Sequence, residues 1–208
     1  MIDQTVLWTY LAVLLGFVFI PGPAVLLTLA RASGSGTRAG LATAAGIAVG
    51  DLVHTVMAVL GLSAVILASA TLFTVIKYLG AAYLVYLGIC AFREREAPGA
   101  GVAVRGMTAR RAFRQAVLAE VLNPKSAMFF LAFLPQFVQP ENGLVALQLT
   151  ILGVLFVAMG LLSTLTVAVF AGRLGTVLRG SARVRRWQGK VIGTIYCGLG
   201  VRLALHER

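Results

Sequence analysis

Residues 5–31 read TVLWTYLAVLLGFVFIPGPAVLLTLAR, an apolar stretch that is interrupted only by Pro21-Gly22-Pro23. Its length is sufficient for a helix that crosses the ~30 Å hydrocarbon core of a bilayer. The two prolines remove backbone donors and clash with the preceding turn, so they kink or break a helix. In lipid, the carbonyls that a break frees are tolerated only inside protein or along a wet cavity. The stretch therefore predicts a membrane span that is broken at Pro21–Pro23.

The composition of the whole chain is that of an integral membrane protein. Of its 208 residues, 59% are hydrophobic and 12% are charged, against about 25% charged in soluble domains. The mean hydropathy of +0.92 leaves too few polar residues to cover a water-facing surface. Disordered, coiled-coil and disulfide-scaffold classes are excluded on the same grounds. Because six spans of ~20 residues use about 120 residues, we expect one transmembrane domain over 1–208.

The apolar segments predict an all-α fold of six transmembrane helices. We place them at about 5–31, 38–69, 71–92, 113–138, 142–172 and 187–205. A second pair of helix-breaking residues, Asn123-Pro124, lies in the fourth span and corresponds to the break in the first. The sequence therefore predicts two broken helices in corresponding positions, which points to a binding site between them.

The chain also contains a weak internal repeat. KYLGAAY at 77–83 resembles KVIGTIY at 190–196, with Lys, Gly and Tyr in register. Each half holds three spans, so the second half must enter the membrane from the opposite side, as in the inverted repeats of secondary transporters. Repeat one covers about 1–92, a basic loop about 93–112, and repeat two about 113–208. Chance similarity between apolar, glycine-rich helices is the alternative.

The net charge of +11 is concentrated between the predicted spans. Fourteen of the 18 Lys and Arg residues lie within 31–38, 93–114 and 173–190, whereas the other two inter-span loops hold none. This placement is typical of cytoplasmic loops and predicts both termini on the non-cytoplasmic side. The alternative is a dedicated site for anionic lipid or a partner. Membrane lipids, and not nucleic acid, are therefore the expected surroundings.

An acidic residue lies at the depth of the two breaks. By helical rise, Pro21 and Pro124 lie about 15 Å, and Asp51 roughly 20 Å, from basic residues at the predicted cytoplasmic end. A carboxyl at mid-membrane costs at least ~2.5–3.5 kcal/mol, so it needs a cation, a proton or a hydrated cavity. Asp51 either exchanges a proton during transport or forms a static pair with Lys125.

Four further polar side chains are candidates, each with a structural alternative. Lys125, about 16 Å deep, could attract a substrate carboxylate or only neutralise Asp51. Glu120, about 9 Å from the inner end, could line an access route or cap a solvated helix end. Tyr83, ~15 Å deep, could offer its hydroxyl to a ligand or pack as a buried aromatic. His54, one turn beyond Asp51, could relay protons or pack in the bundle.

The sequence contains no motif for catalysis, nucleotide binding or metal binding. Its two histidines are far apart, and Cys90 and Cys197 lie inside apolar helices. We therefore expect no enzyme activity, no cofactor and no metal site. Gly46 and Gly50 form a small-residue face that could pack helices within one chain or between two copies of a homo-oligomer.

Several motifs together resemble those of a known family. Pro21-Gly22-Pro23, Gly46-x-x-x-Gly50-Asp51, KYLGAAYL at 77–84 and LNPK at 122–125 before FLPQF at 133–137 occur in the order and spacing of the LysE/RhtB amino-acid exporters. The resemblance covers essentially the whole chain. It implies a bacterial inner-membrane carrier that exports amino acids or close derivatives with the proton motive force. The positions that match recurring residues of the family are Pro21, Gly22, Pro23, Asp51, Asn123, Pro124 and Lys125.

The sequence thus favours an exporter in which a small zwitterion binds at the two helix breaks. An inorganic cation exporter is the first alternative, although one deep acid is few for a hard cation that takes six or more oxygens. A non-transporting membrane scaffold, whose glycine-rich faces bind partners, is the second. No residue selects among the amino acids that such a carrier could export.

Overall fold

The computed structural model describes residues 2–19, 22–62 and 107–180, together with single helical positions within 71–89 and 190–201. The described side chains exclude residues 19 and 172–180. Across these ranges the chain consists of helices and short connections, without a strand. The protein is an all-α membrane protein, as predicted.

The first predicted span consists of two helices. Helix α1 covers Gln4–Phe19 and helix α2 covers Pro23–Ser35. The two axes are bent by 47°. Gly22 is the N-cap of α2, and Pro23 occupies the first helical position, where a missing N–H costs nothing. The predicted break is therefore confirmed, while Pro21 itself lies outside the described residues.

Helix α3 covers Thr37–Met57 and continues as a π-helical turn over Ala58–Leu62. A single residue, Gly36, connects it to α2 with a φ of +89°, a conformation that favours glycine. The connection is shorter than the sequence suggested, because nothing before Gly36 stops α2. Residues 63–69 of the predicted second span lie outside the described residues, as does most of the third span.

The fourth predicted span is also broken. Helix α4 covers Ala109–Val121 and helix α5 covers Pro124–Met128. A π-helical turn at Phe129–Phe133 and a 3-10 turn at Leu134–Phe137 follow. The halves on either side of Asn123 meet at 43°. Helix α4 begins before the expected position 113, because the Thr108 hydroxyl accepts a hydrogen bond from the Arg111 N–H at 3.4 Å and caps the helix.

The fifth predicted span is a long helix, α6, at Val145–Gly180. It follows a 3-10 turn at Pro140–Asn142 and Gly143, whose φ is +68°. With 36 residues it extends beyond the predicted end at 172, because the arginines that were expected in a loop are good helix formers. Among the described residues, α3 with its π turn and α6 are each apolar and long enough to span a bilayer, and the two bent pairs bring the number to four.

Helix α3 packs closely against α4 through the predicted small-residue face. A Cβ atom at Gly46 would collide with the backbone carbonyl of Phe113, and one at Gly50 would lie 2.5 Å from the Cβ of Glu120. The Gly46/Gly50 face therefore packs two helices of the same chain against each other. Its close approach brings Asp51 of α3 against the end of α4.

The two ends of the bundle carry different polar contacts. At the end that we call the Asp3 end, Gln139 Nε2 donates to Asp3 Oδ2 at 2.6 Å, and Gln148 Nε2 donates to the Gln139 carbonyl at 2.9 Å. At the opposite end, the Arg31 end, Arg31 Nη2 donates to Gln115 Oε1 at 2.9 Å. The Arg31 end contains basic residues of the stretches that were predicted to be cytoplasmic.

Buried aromatic rings fill the interior towards the Asp3 end. Tyr10 is fully buried, and its hydroxyl donates to the Leu152 carbonyl at 2.7 Å. The ring centroids of Phe129 and Phe156 are 4.5 Å apart. We call this set the aromatic cluster; it comprises Tyr10, Phe17, Phe129, Phe130, Phe133, Phe137 and Phe156. Among the described residues, it lies between the helix breaks and the Asp3 end.

Candidate functional site

A small, partly open cavity lies where the two helix breaks meet. Six of the predicted site residues line it, namely Gly22, Pro23, Asp51, Glu120, Asn123 and Lys125. Pro124 creates the second break, but its side chain is exposed. Tyr83, like Pro21, lies outside the described residues.

At the first break, side chains from other spans contact the backbone carbonyl oxygens. In a continuous helix the Phe17 carbonyl would accept from the N–H of residue 21, and Pro21 has none. The Lys125 ammonium lies 3.4 Å from this carbonyl oxygen and 4.3 Å from the centroid of the Phe17 ring. The Ser163 hydroxyl donates to the neighbouring Val18 carbonyl at 3.2 Å. Carbonyls at the break are thus satisfied within the protein.

The second break is organised around Glu120. Asn123 Oδ1 accepts from the Lys125 N–H at 3.0 Å and caps α5, while Asn123 Nδ2 donates to Glu120 Oε1 at 3.0 Å. The Ser126 hydroxyl donates to the same carboxylate oxygen. Glu120 is only 3% exposed, so it does not form the solvated helix end that the sequence left open. It lies one turn before Pro124 and faces the cavity from the same level as Asp51.

Asp51 presents an unsatisfied carboxyl oxygen in this cavity. Its side chain is 2% exposed, and Oδ1 has no hydrogen-bond partner among the described residues. The carboxyl groups of Asp51 and Glu120 interact directly, and the Lys125 ammonium attracts both. A Cβ at Gly160 of α6 would lie 3.5 Å from Asp51 Oδ2, so α6 approaches the carboxyl with bare backbone. A buried carboxyl with an unused oxygen calls for a donor that is not part of this polar network.

The beginning of α2 supplies the opposite polarity. Its N-cap, Gly22, offers no side-chain hydrogen bond, and the N–H groups of the first turn have no acceptor within the helix. Such a helix N-terminus is a site for an anionic group. A Cβ at Gly22 would lie 2.8 Å from Lys125 Nζ, which places the ammonium beside this terminus. The lining of the cavity therefore combines the Asp51 carboxyl with amide donors and an ammonium.

Comparison with known proteins identifies the family. A model described as LysE type translocator matches residues 15–207, nearly the whole chain. The chain belongs to the LysE family. It is therefore a membrane transporter and not an enzyme, as the resemblance implied. Among the described residues, no group of three or more His, Cys, Asp or Glu side chains could hold a metal ion.

Curated LysE-family relatives cover almost the same length. An uncharacterized membrane protein of Pseudomonas aeruginosa is 34% identical over 203 residues, which is 95% of this chain and 94% of the relative. The leucine efflux protein of Salmonella typhimurium is 27% identical over 95% of this chain and 93% of its own. The homoserine/homoserine lactone efflux protein of the same organism is 29% identical over 88% of each chain. No solved structure matches.

Sequence reasoning missed two polar partners at the breaks, Ser126 and Ser163. The spacing from a proline identifies only the carbonyl four residues earlier, and Val18 does not stand four residues before a proline. Nor does spacing identify the new donor, because Ser163 is 145 residues from Val18 along the chain. Only the packing of α6 against the first break brings the two together.

Proposed function

We propose that this LysE-family transporter exports small neutral amino acids across the bacterial inner membrane in exchange for protons. The observation that carries the proposal is the pair of opposite poles in the cavity at the helix breaks. Asp51 Oδ1 has no partner among the described residues and, when the carboxyl is ionised, forms the negative pole. The start of α2 with Lys125 forms the positive pole. A zwitterion is the small solute that satisfies both poles at once.

In the proposed complex, each end of the amino acid meets a different break. The α-ammonium group donates to Asp51 Oδ1, which has no partner among the described residues. The α-carboxylate accepts from the N–H groups of Ala24 and Val25 in the first turn of α2, assisted by the Lys125 ammonium. Charge-assisted hydrogen bonds of this kind contribute about 1.5–3 kcal/mol each.

The apolar walls of the cavity favour a neutral side chain. Phe17, Ile47 and Phe156 line it beside the polar groups. A second ammonium, as in lysine, would have to leave water for this wall without a partner, which is costly. Two relatives are named for the efflux of leucine and of homoserine, both neutral amino acids. These names and the apolar wall support the same substrate class.

The paired carboxyls provide a place for the coupling proton. Asp51 and Glu120 interact directly, and two adjacent carboxylates resist being charged at the same time. Asn123 and Ser126 occupy one Glu120 oxygen, which leaves Asp51 as the group that exchanges its ligand. A proton and a substrate ammonium would then occupy Asp51 alternately, which couples proton entry to substrate exit.

The proposed orientation places the Arg31 end in the cytoplasm and both termini outside. Basic residues concentrate at that end, as the rule for cytoplasmic loops requires. Two rings of the aromatic cluster, Phe17 and Phe156, line the cavity. In the proposed conformation the cluster separates the cavity from the Asp3 end, and substrate enters from the Arg31 end. Movement of one half against the other would then expose the site on the Asp3 side.

The two alternatives from the sequence are less well supported. A hard cation takes six or more oxygens, whereas this cavity offers two carboxyls beside an ammonium, which repels cations. A scaffold would need its glycine face for partners, yet Gly46 and Gly50 pack against α4 of the same chain.

Transport by the purified protein tests the proposal. Proteoliposomes are loaded with labelled leucine, homoserine, lysine or Mn²⁺, and the external medium is acidified. We expect the inward proton gradient to accelerate efflux of leucine or homoserine, with lysine and Mn²⁺ at the rate of protein-free liposomes. A protonophore is expected to abolish the acceleration. Exclusive Mn²⁺ or lysine efflux would overturn the substrate class, and no efflux of any solute would favour the scaffold.

A further inference from the structure

We propose that His54 is a positioning residue of the transport site. Its side chain donates a hydrogen bond in place of the backbone N–H that Pro124 lacks. His54 lies in α3, one helical turn beyond Asp51, and is 3% exposed. Its Nε2 atom is 3.0 Å from the backbone carbonyl oxygen of Glu120. Because a carbonyl oxygen only accepts hydrogen bonds, Nε2 carries the proton and donates it.

The spacing of Glu120 and Pro124 explains why this carbonyl needs a donor. In a continuous helix the Glu120 carbonyl would accept from the N–H of residue 124. Proline has no N–H, and within a membrane a backbone acceptor must be satisfied by the protein itself or by cavity water. The Asn123 N–H, one residue earlier, bonds to this oxygen at 3.0 Å in a tighter turn. His54 fills the second acceptor direction of the oxygen.

The histidine ring is held in the orientation that this bond requires. It stacks on Phe130, with ring centroids 5.6 Å apart and planes 17° from parallel. Phe130 belongs to the π-helical turn that follows α5. His54 therefore ties α3 to the span on both sides of its break, through the Glu120 carbonyl before it and Phe130 after it.

This tie fixes the relative position of the two carboxyls. Asp51 and His54 project from successive turns of α3, and they contact the side chain and the backbone of Glu120, respectively. The Glu120 side chain is itself held by Asn123 and Ser126. Without His54 the Glu120 carbonyl keeps only the Asn123 N–H of its own span, so this bond no longer ties the end of α4 to α3. Glu120 could then shift from its place beside Asp51.

The first break shows the same arrangement. Phe17 stands four residues before Pro21 as Glu120 stands four before Pro124, and its carbonyl lies 3.4 Å from Lys125 Nζ. In both broken spans, a side chain of another span thus meets the carbonyl that a proline deprives of its donor. This role differs from the proton relay considered from the sequence, because a carbonyl acceptor cannot pass a proton onward.

A double-mutant cycle with Pro124 tests the proposal directly. Pro124→Ala restores an N–H at residue 124, so it makes the His54 donor redundant. We expect His54→Leu to lower the thermal unfolding midpoint of the purified protein in detergent by roughly 3–10 °C. In the Pro124→Ala background the same substitution should have little effect. Such non-additivity is the signature of a shared interaction.

Conservative variants separate the donor from the ring. His54→Gln places an amide N–H about as far along the side chain as Nε2, whereas the amide of His54→Asn is too short to reach. We expect His54→Gln to retain most of the leucine efflux rate, and His54→Asn and His54→Leu to lose about tenfold or more. The efflux measurement rests on the proposed function, whereas the double-mutant cycle on the thermal unfolding midpoint does not.

Two results would overturn the inference. An equal effect of His54→Leu with and without Pro124 would show that the histidine does not replace the missing N–H. A His54→Gln variant as impaired as His54→Leu would show that position 54 does not act as a donor. If the wild-type protein transports no amino acid, the proposed function fails. The double-mutant cycle on the unfolding midpoint still decides whether His54 replaces the missing N–H.

Discussion

At the scale of single residues, the site depends on the absence of a side chain at Gly22. The backbone of Gly22 is extended, with a φ of −112°, so any residue could adopt it. The restriction is spatial, because an added Cβ would lie 2.8 Å from Lys125 Nζ. The flexible lysine can move away without a clash between backbones, although it then gives up its contact with the Phe17 carbonyl. A methyl group at position 22 therefore tests the ammonium, and the thermal midpoint of the variant reports how far the first break is disturbed.

We predict that Gly22→Ala weakens substrate binding while the protein stays folded. Displacing Lys125 removes a charge-assisted contact to the substrate carboxylate, so the KM for efflux should rise roughly tenfold. The matched control is Gly16→Ala, at which a Cβ would have no neighbour within 4 Å. An unchanged KM in Gly22→Ala would show that the ammonium does not contact the substrate.

At the scale of secondary-structure elements, the α3–α4 contact sets the depth of Asp51 and Glu120. Gly46 faces the backbone carbonyl of Phe113, and Gly50 faces the Cβ of Glu120. Neither neighbour is the far end of a flexible side chain. The two helices would have to separate before either glycine could carry a Cβ, and the carboxyl pair would separate with them.

We predict that Gly46→Ala lowers the free energy of unfolding by about 1–3 kcal/mol through overpacking. Thermal unfolding in detergent measures this as a midpoint lower by roughly 2–4 °C per kcal/mol. Gly61→Ala is the control, because a Cβ there would also have open space around it. Equal midpoints for the two variants would show that α3 and α4 are not in close contact at Gly46.

At the scale of the whole molecule, the sequence predicts where the two helices break. It predicts less well which side chains of other spans contact the backbone at each break. Apolar length, Pro21–Pro23 and Asn123–Pro124 predict two broken spans, and helical rise places Asp51 at their level. These are local properties of one segment at a time. The Lys125 contact with Phe17 joins residues 108 positions apart, and so depends on how the spans pack. The burial of Glu120 likewise follows from its approach to α3, which periodicity does not reveal.

The proposed orientation, with the Arg31 end in the cytoplasm, leads to a prediction about access. Ala24 lines the cavity in the first turn of α2 and is partly exposed. In a variant without Cys90 and Cys197, we expect Ala24→Cys to react with a membrane-impermeant thiol reagent applied to inside-out vesicles. Saturating substrate should slow the reaction. Reaction only in right-side-out vesicles would contradict the proposed orientation.

The most direct test of the central claim is the proton flux of Asp51→Asn in proteoliposomes. The amide has nearly the same shape, yet it neither takes up a proton nor offers a charge to an ammonium group. With the wild-type protein, internal leucine or homoserine should drive proton entry that a pH-sensitive dye inside the vesicles records. The thermal unfolding midpoint is used to check that the Asp51→Asn variant is folded. In this variant we expect substrate-dependent proton entry to disappear. Wild-type proton flux in this variant would contradict the claim that Asp51 exchanges substrate for proton.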